Sequence, residues 1–379
     1  MHKAFKYRIY PNKTQEIQLS KTFGSCRFYW NNLVASFNSY NKETNPNPVF
    51  KTQKELKLEY AWLGEVSAAT LQEKFRDFQE FKNQLFSKTR VNKIGRPKFK
   101  KKGGRQSFRL PNQKFSLSGD KIRLEKIGHV KIIIDRLIPE NSKLLSVTVS
   151  KNSSGQYFAS IAVELEIKPK QKTGLSVGVD LGLKEFATLS DGIIIGNQRF
   201  FRESQSKLRK VQKIYSRKKK GSSRQKKCKL MIARVHRDIA NQRNYFLHNT
   251  TTFLVNNYDS IYIEDLNVSG MLKNHKLAKS ISDVSWSEFR RMIEYKAKWY
   301  GKSIHVIGRF EASSKTCSCC GWKNDSLTLK DRIFNCESCG LSLDRDLNAA
   351  INIKAFGVAN AIRTQSGEVT NRVEVFRVE

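Results

Sequence analysis

The stretch "CSCCGWKNDSLTLKDRIFNCESCG", Cys317–Gly340, runs with no linker into "LSLDRDLNAAINI", residues 341–353. Its thiols fall as Cys317-x2-Cys320 and Cys336-x2-Cys339 with fifteen residues between the pairs, so two short knuckles close one excursion of the chain. Four thiolates at that spacing can surround one Zn2+ tetrahedrally. Cys319 sits inside the first knuckle and competes as a ligand, while the x2 spacing and the following Gly321 favour Cys317 and Cys320. A closed four-thiolate cage offers no open position to a substrate, so its role is structural. The excursion ends at an acid pair, Asp344 and Asp346, placed just before the helical pattern "LNAAINIKAF".

Working outward, the 379-residue chain carries 70 Lys and Arg against 34 Asp and Glu, a formal charge of +36, with 39% hydrophobic residues. That excess exceeds what solubility requires and predicts a polyanionic partner. No run approaches about 18 apolar residues, and the opening "MHKAFKYRIY" has no signal-peptide core, which predicts no membrane partner and a soluble, cytoplasmic protein. Seven cysteines, five of them packed between 317 and 339, are not the spread of a secreted disulfide framework.

Upstream of the cage, "LSVGVDLGL" reads as a buried strand and "ATLSDGIII" as a second, turning at Asp191-Gly192. A basic helical segment follows from about 201 to 257, then the strand "SIYIEDL", the helix "SWSEFRRMIEYKAKWYG" and the strand "SIHVIGRF". This is an α/β order. Three acids stand where strand or helix ends would put them: Asp180 in "GVDLGL", Glu264 in "IYIEDL" and Asp346 in "DRDLNAA". Each alone has a bland reading as a turn, a solvated strand end or a helix cap. Together they read differently, because three carboxylates converging on one sheet edge can hold two Mg2+ roughly 3.5–4 Å apart for phosphodiester hydrolysis.

The N-terminal half has another character. "KAFKYRIYP" alternates as a strand and stops at Pro11; Thr14 then caps a helix carrying Ile17, Phe23, Trp30, Val34 and Phe37, and a second helix covers about 68 to 86. Residues 88–114 hold eleven Lys or Arg and no acid, interrupted by Gly and Pro, and predict an irregular basic arm. Alternating β-branched runs follow, with an Asn-Ser-Ser-Gly turn at 152–155, and predict a small β-barrel or sandwich that the first strand can join. A second basic surface lies at 201–237, with fifteen Lys or Arg and, as its one acid, Glu203. Arg96, Lys98, Lys100, Lys101, Lys102 and Arg105 of the arm, and Lys218, Lys219, Lys220, Lys226 and Lys227 of the helical segment, are the candidate nucleic-acid contacts. Phe99, Phe108 and Tyr215 stand among them, either to stack on unpaired bases or to pack inward.

At these residues the sequence resembles the TnpB proteins of insertion sequences, relatives of the compact type V CRISPR effectors. "YRIYPNKTQ" with "FGSCRFYWN" resembles the family's helix-turn-helix opening, "GRPKFKKK" its basic bridge, and "GVDLGLKEFATLSDG" and "IYIEDLNVSGM" its first and second RuvC motifs. "SSKTCSCCG", "CESCG" and "DRDLNAAINI" resemble its zinc ribbon and third RuvC motif. Cys319 departs from the pattern, where another residue is usual. The resemblance implies an α+β multidomain protein: an RNase H-like (RuvC) nuclease lobe with an inserted zinc ribbon, a small β-barrel (wedge) and an N-terminal helical domain. The implied layout is 1–12 first barrel strand, 13–87 helical domain, 88–170 arm and barrel, 171–312 nuclease, 313–341 ribbon, 342–357 nuclease again and 358–379 tail. It also implies a guide RNA transcribed from the transposon end, double-stranded target DNA with a short flanking motif, structural Zn2+ and catalytic Mg2+. Asp180, Glu264 and Asp346 become the metal-binding triad, with Asp346 chosen over Asp344 because the family's acid directly precedes x-Asn-Ala-Ala. The implied activity is RNA-guided DNA cleavage; an RNA-guided repressor without cleavage and a transposase or its accessory are the alternatives.

Overall fold

The computed structural model describes residues 1–40, 49–87, 94–309, 311–328 and 330–365. The chain divides into two compact units, Met1–Glu166 and Ile167–Glu379. Part of the basic arm, 88–93, and the tail from 366 lie outside the described residues.

In the first unit β1 (His2–Tyr10) buries Phe5, Tyr7 and Ile9 and turns Lys6 and Arg8 to the other face. Pro11 ends it. Helix α1 (Lys13–Asn38) then starts from a capping box, in which the Asn12 side chain accepts the Gln15 N–H at 2.8 Å and Gln15 accepts the Asn12 N–H at 3.0 Å. The cap is therefore Asn12 and not Thr14, and Ile17 is turned to solvent. Helices α2 (Gln53–Glu59) and α3 (Ala68–Phe86) follow. Phe23, Trp30 and Leu33 of α1 and Leu71 and Phe78 of α3 share one core with the sheet.

That sheet adds β2 (Gln106–Pro111), β3 (Phe115–Ser118), β4 (Lys121–Leu124), β5 (Gly128–Ile133), β6 (Lys143–Lys151) and β7 (Tyr157–Glu164) to β1. Its order is β2-β6-β7-β1-β5-β4-β3, antiparallel throughout. The edges β2 and β3 are joined by only three residues, Asn112–Lys114. Flat, seven strands would hold those edges roughly 29 Å apart at about 4.8 Å per strand, whereas that link reaches about 14 Å at most. The sheet must therefore curl almost onto itself, which is how the expected barrel is realised.

In the second unit β8 (Ser176–Leu181), β9 (Glu185–Leu189) and β10 (Ile194–Gly196) form an antiparallel meander. Helices α4 (Phe200–Ser216) and α5 (Ser223–Asn257) lead to β11 (Ser260–Glu264). Short α6 (Val268–Met271) and α7 (Ala278–Val284) and longer α8 (Trp286–Tyr300) lead to β12 (Ser303–Ile307). Strands β8, β11 and β12 are parallel neighbours in the order β10-β9-β8-β11-β12. Val177, Val179, Ile261 and Ile263 pack on one face against Leu247, Leu254, Phe289 and Ile293 of α5 and α8. The other face takes α9 (Arg345–Gln365). It comes so close that a Cβ on Gly178 would lie 2.1 Å from the Ala350 carbonyl oxygen, and one on Gly357 would lie 2.1 Å from the Tyr262 ring. Glycine stands at both crossings because no side chain fits. The helix continues to Gln365, past Gly357 where the sequence pattern fades. Between β12 and α9 lie the first cysteine pair, Cys317 and Cys320, and then a two-stranded ribbon, β13 (Ile333–Asn335) with β14 (Ser342–Asp344), whose connection holds Cys336 and Cys339.

Candidate metal centres

Each cysteine pair makes the same knuckle. The Gly321 N–H donates to the Cys317 carbonyl and the Gly340 N–H to the Cys336 carbonyl, both at 3.0 Å. The Cys317 N–H reaches the Trp322 carbonyl and the Cys336 N–H the Leu341 carbonyl, both at 2.8 Å. Gly321 and Gly340 have φ of +79° and +76°, the left-handed region in which a Cβ is strained. The four sulfurs of Cys317, Cys320, Cys336 and Cys339 lie within 4.8 Å of one another. The contacts Cys317–Cys339 at 3.7 Å and Cys320–Cys336 at 3.6 Å match the separation of about 3.8 Å for sulfurs bound at about 2.3 Å in a tetrahedron. Cys319 is exposed and its sulfur is not in the set.

Side-chain alternation decides where the acids face. With Val177 and Val179 turned to α5 and α8, Gly178 and Asp180 take the α9 face. On β11, Ile261 and Ile263 take the first face, leaving Tyr262 and Glu264 for α9. Val179 and Ile263 are register partners, so Asp180 and Glu264 stand side by side one residue further on. Asp346 lies in the first turn of α9. Burial, then the charges of Glu264 and Asp346, push the Asp180 carboxyl up to about 8, with Asp344 adding and Arg345 opposing. Glu264 is also raised, chiefly by burial and against a hydrogen bond from the Ser313 hydroxyl. The Asp180 carboxyl thus feels both Glu264 and Asp346, while among the described residues the four sulfurs are the set gathered as a compact ligand group.

Asp344 proves to be the helix cap, with Oδ1 accepting the N–H groups of Asp346 at 2.9 Å and Leu347 at 3.1 Å. Asp346 is freed from capping and pairs with Arg345 at 3.0 Å. Two residues that the sequence reading missed tie cage to helix. Asn348, fully buried, accepts the Ser318 N–H at 2.9 Å and donates to the Thr316 carbonyl at 2.7 Å. Asn352 donates to the carbonyls of Ser313 at 2.8 Å and Thr316 at 2.6 Å. Their signal was present as two asparagines at i, i+4 in an otherwise apolar helix face.

The candidate nucleic-acid residues fall on both units. Arg96, Lys98, Lys100, Lys101, Lys102 and Arg105 are exposed on a segment without regular structure. That segment is pinned to α1: the Trp30 indole donates to the Lys98 carbonyl at 3.1 Å, Asn31 bonds both backbone groups of Lys100, and the Lys100 ammonium lies 3.8 Å from the Trp30 ring. Lys218, Lys219 and Lys220 occupy a turn that divides the expected single helical segment into α4 and α5, with Gly221 at φ +82° and Ser222 capping α5. Lys226 and Lys227 are exposed on the first turns of α5. Phe108 is core, its ring 5.4 Å from that of Phe23, and so does not serve as a stacking surface; Phe99 is exposed. No helix among the described residues is long and apolar enough to cross a membrane.

Three family descriptions match this chain: "Helix-turn-helix domain" of the OrfB/IS605 type over residues 1–45, "Probable transposase" of the same type over 160–275, and "Cas12f1-like, TNB domain" over 286–353. Among the described residues of the first span the structure has one strand and one long helix. A protein of Streptomyces pristinaespiralis named "Putative RNA-guided DNA endonuclease" is 38% identical over 94% of this chain and 90% of its own length. InsQ of Escherichia coli K12, with the same description, is 32% identical over 94% and 92%. The fold is similar to that of Cas12f1, solved with its guide RNA and target DNA, at a TM-score of 0.55 and 14% identity over 93% of this chain and 98% of that one. With 38% and 32% identity to the Streptomyces and Escherichia coli relatives along nearly the whole of each chain, the protein belongs to the TnpB family.

Proposed function

We propose that the protein is a transposon-encoded, RNA-guided DNA endonuclease whose RNase H-like (RuvC-type) centre is Asp180, Glu264 and Asp346. It cuts DNA beside a short flanking motif, and sequence choice is delegated to pairing between guide RNA and target. The observation that carries this reading is the placement of Asp180 and Glu264 at the ends of adjacent parallel strands, on the face crossed by the helix that bears Asp346. The donor set suits Mg2+, a hard cation that takes carboxylate oxygens, and a divalent charge would offset both the burial and the neighbouring negative charge that raise Asp180. Two Mg2+ bound there would activate a water and stabilise the leaving oxygen. The protein's own part is to hold the three carboxylates on one rigid face. The thiol set fits Zn2+ by geometry and donor chemistry. Its folded knuckles fix Thr316 and Ser318, to which Asn348 and Asn352 anchor the start of α9, and so they set the direction of Asp346.

The test is to purify the protein with its co-purifying RNA, sequence that RNA, and supply a matched DNA with Mg2+. Free DNA ends are expected. Binding without nicking would make the protein an RNA-guided repressor, and joined strands would make it a transposase.

A further inference from the structure

Ser313 lies where three parts of the second unit meet. It is 5% exposed, and its hydroxyl donates to Oε1 of Glu264 on β11. Its carbonyl accepts from Asn352 of α9 at 2.8 Å, and its N–H donates to the Glu311 carbonyl at 2.8 Å. Asn352 also holds Thr316, the residue before the first cage cysteine. Every polar group of Ser313 is therefore engaged, and its backbone is fixed from the side of the helix that carries Asp346. A glutamate's terminal torsion is otherwise broad, so a hydroxyl held this rigidly determines how the Glu264 carboxylate is rotated.

We infer that Ser313 is the positioning residue of the cleavage centre, its hydroxyl orienting Glu264 for metal binding and its backbone linking that orientation to α9. This rests on the reading of Glu264 as a metal-binding carboxylate. Groups that orient metal ligands typically contribute about 10- to 100-fold in metal affinity or activity. A buried serine that merely fills space would leave the metal dependence of the reaction unchanged.

The experiment follows two readouts across a Mg2+ titration of the protein–RNA complex, cleavage of a matched DNA and, without DNA, the rise in melting temperature that Mg2+ binding produces, for wild type and for Ser313→Ala, Ser313→Thr and Glu264→Ala. Ser313→Ala is expected to need about 10-fold or more Mg2+ for half-maximal cutting and for half of that rise, with guide-RNA binding and magnesium-free thermal unfolding close to wild type. Ser313→Thr, which keeps the hydroxyl, is expected to recover most of that loss. A wild-type Mg2+ dependence in Ser313→Ala overturns the inference, as does equal loss in the Ala and Thr variants, which would assign the effect to side-chain volume. Cutting by Glu264→Ala would overturn the underlying reading of the centre, an outcome separate from either result at Ser313.

Discussion

Asp344 accepts the backbone N–H of Asp346 at 2.9 Å and thereby takes the capping role that would otherwise compete for Asp346. Two acids one residue apart are given different work. Asp346→Ala is expected to abolish cleavage while leaving RNA binding near normal, as are Asp180→Ala and Glu264→Ala, because residues that act as a unit fail together. Asp344→Ala should cost about 1 kcal/mol of stability through the lost cap and still cut. Cleavage assays beside thermal melts separate the two, and the reverse pattern would exchange the assignments.

Much of this was legible in the sequence because local rules and tertiary packing agreed. The alternation in "KAFKYRIYP" specifies β1, the periodicity of 68–86 specifies α3, and the two Cys-x2-Cys-Gly knuckles specify the cage. Where competing local signals existed, the reading failed. Asn12 and Thr14 both cap helices well, and only the reciprocal bond with Gln15 decides for Asn12. The break at 217–222 hides inside a lysine run whose helix propensity is good, and only Gly221 and the capping Ser222 mark it. Asn348 and Asn352 stood out only as polar positions on an apolar helix face, and what they bind was opaque because their partners lie thirty or more residues away in sequence.

The crossing of α9 over β8 makes Gly178 a test of how the acids are held. An alanine there would put its Cβ 2.1 Å from the Ala350 oxygen and 2.7 Å from the Lys354 nitrogen, both backbone atoms that cannot swing aside. Overpacking of this kind costs about 1–3 kcal/mol and occasionally more, and it lifts α9 from the strand bearing Asp180. Gly178→Ala should lower the melting temperature and reduce cutting more than RNA binding. Gly103→Ala, with nothing within 4 Å of the new carbon, should do neither.

The cage makes a prediction about metal content. Cys336 is buried within the four-sulfur set, while Cys319 is exposed outside it. Structural zinc is worth on the order of 10 kcal/mol in isolated finger peptides. Cys336→Ser should therefore release zinc and lose cleavage, and Cys319→Ser should keep both. Elemental analysis of the purified variants decides it, and zinc loss from Cys319→Ser would reassign the ligands.

The lysines of the α4–α5 turn should be read through salt. Each cation that neutralises a phosphate contributes about −0.9 to the slope of log affinity against log salt for duplex DNA and about −0.7 for a single strand. Replacing Lys218, Lys219 and Lys220 together by Gln should flatten that slope by up to roughly 2 to 3. The choice of target should be unaffected, since phosphate contacts carry no sequence information. An unchanged slope for both RNA and DNA would assign these lysines to solvent.

The carboxylate cluster predicts a stability that depends on pH and on magnesium together. Burial and the charges of Glu264, Asp346 and Asp344, opposed by Arg345, raise Asp180 from 3.8 in an unstrained setting to about 8 in the fold. The folded state then holds the proton more tightly than the unfolded one. The stability tied to that proton is fully present below about 4 and is lost as pH rises to about 8. In magnesium-free buffer Asp180→Asn, which cannot ionise, should therefore be more stable than wild type. The gap should widen from pH 5 to pH 8 and then level, at a few kcal/mol by order of magnitude. The buffer must contain no chelator, so that the thiol cage keeps its metal. Added Mg2+ should raise the wild-type melting temperature at pH 8 and leave the Asn variant nearly unmoved, because a ligand that binds only the folded state stabilises it in proportion to its occupancy. Thermal melts of both proteins at pH 5 and pH 8, with and without Mg2+, supply the comparison. A gap that does not change with pH, or equal stabilisation of both proteins by Mg2+, would remove Asp180 from the metal site.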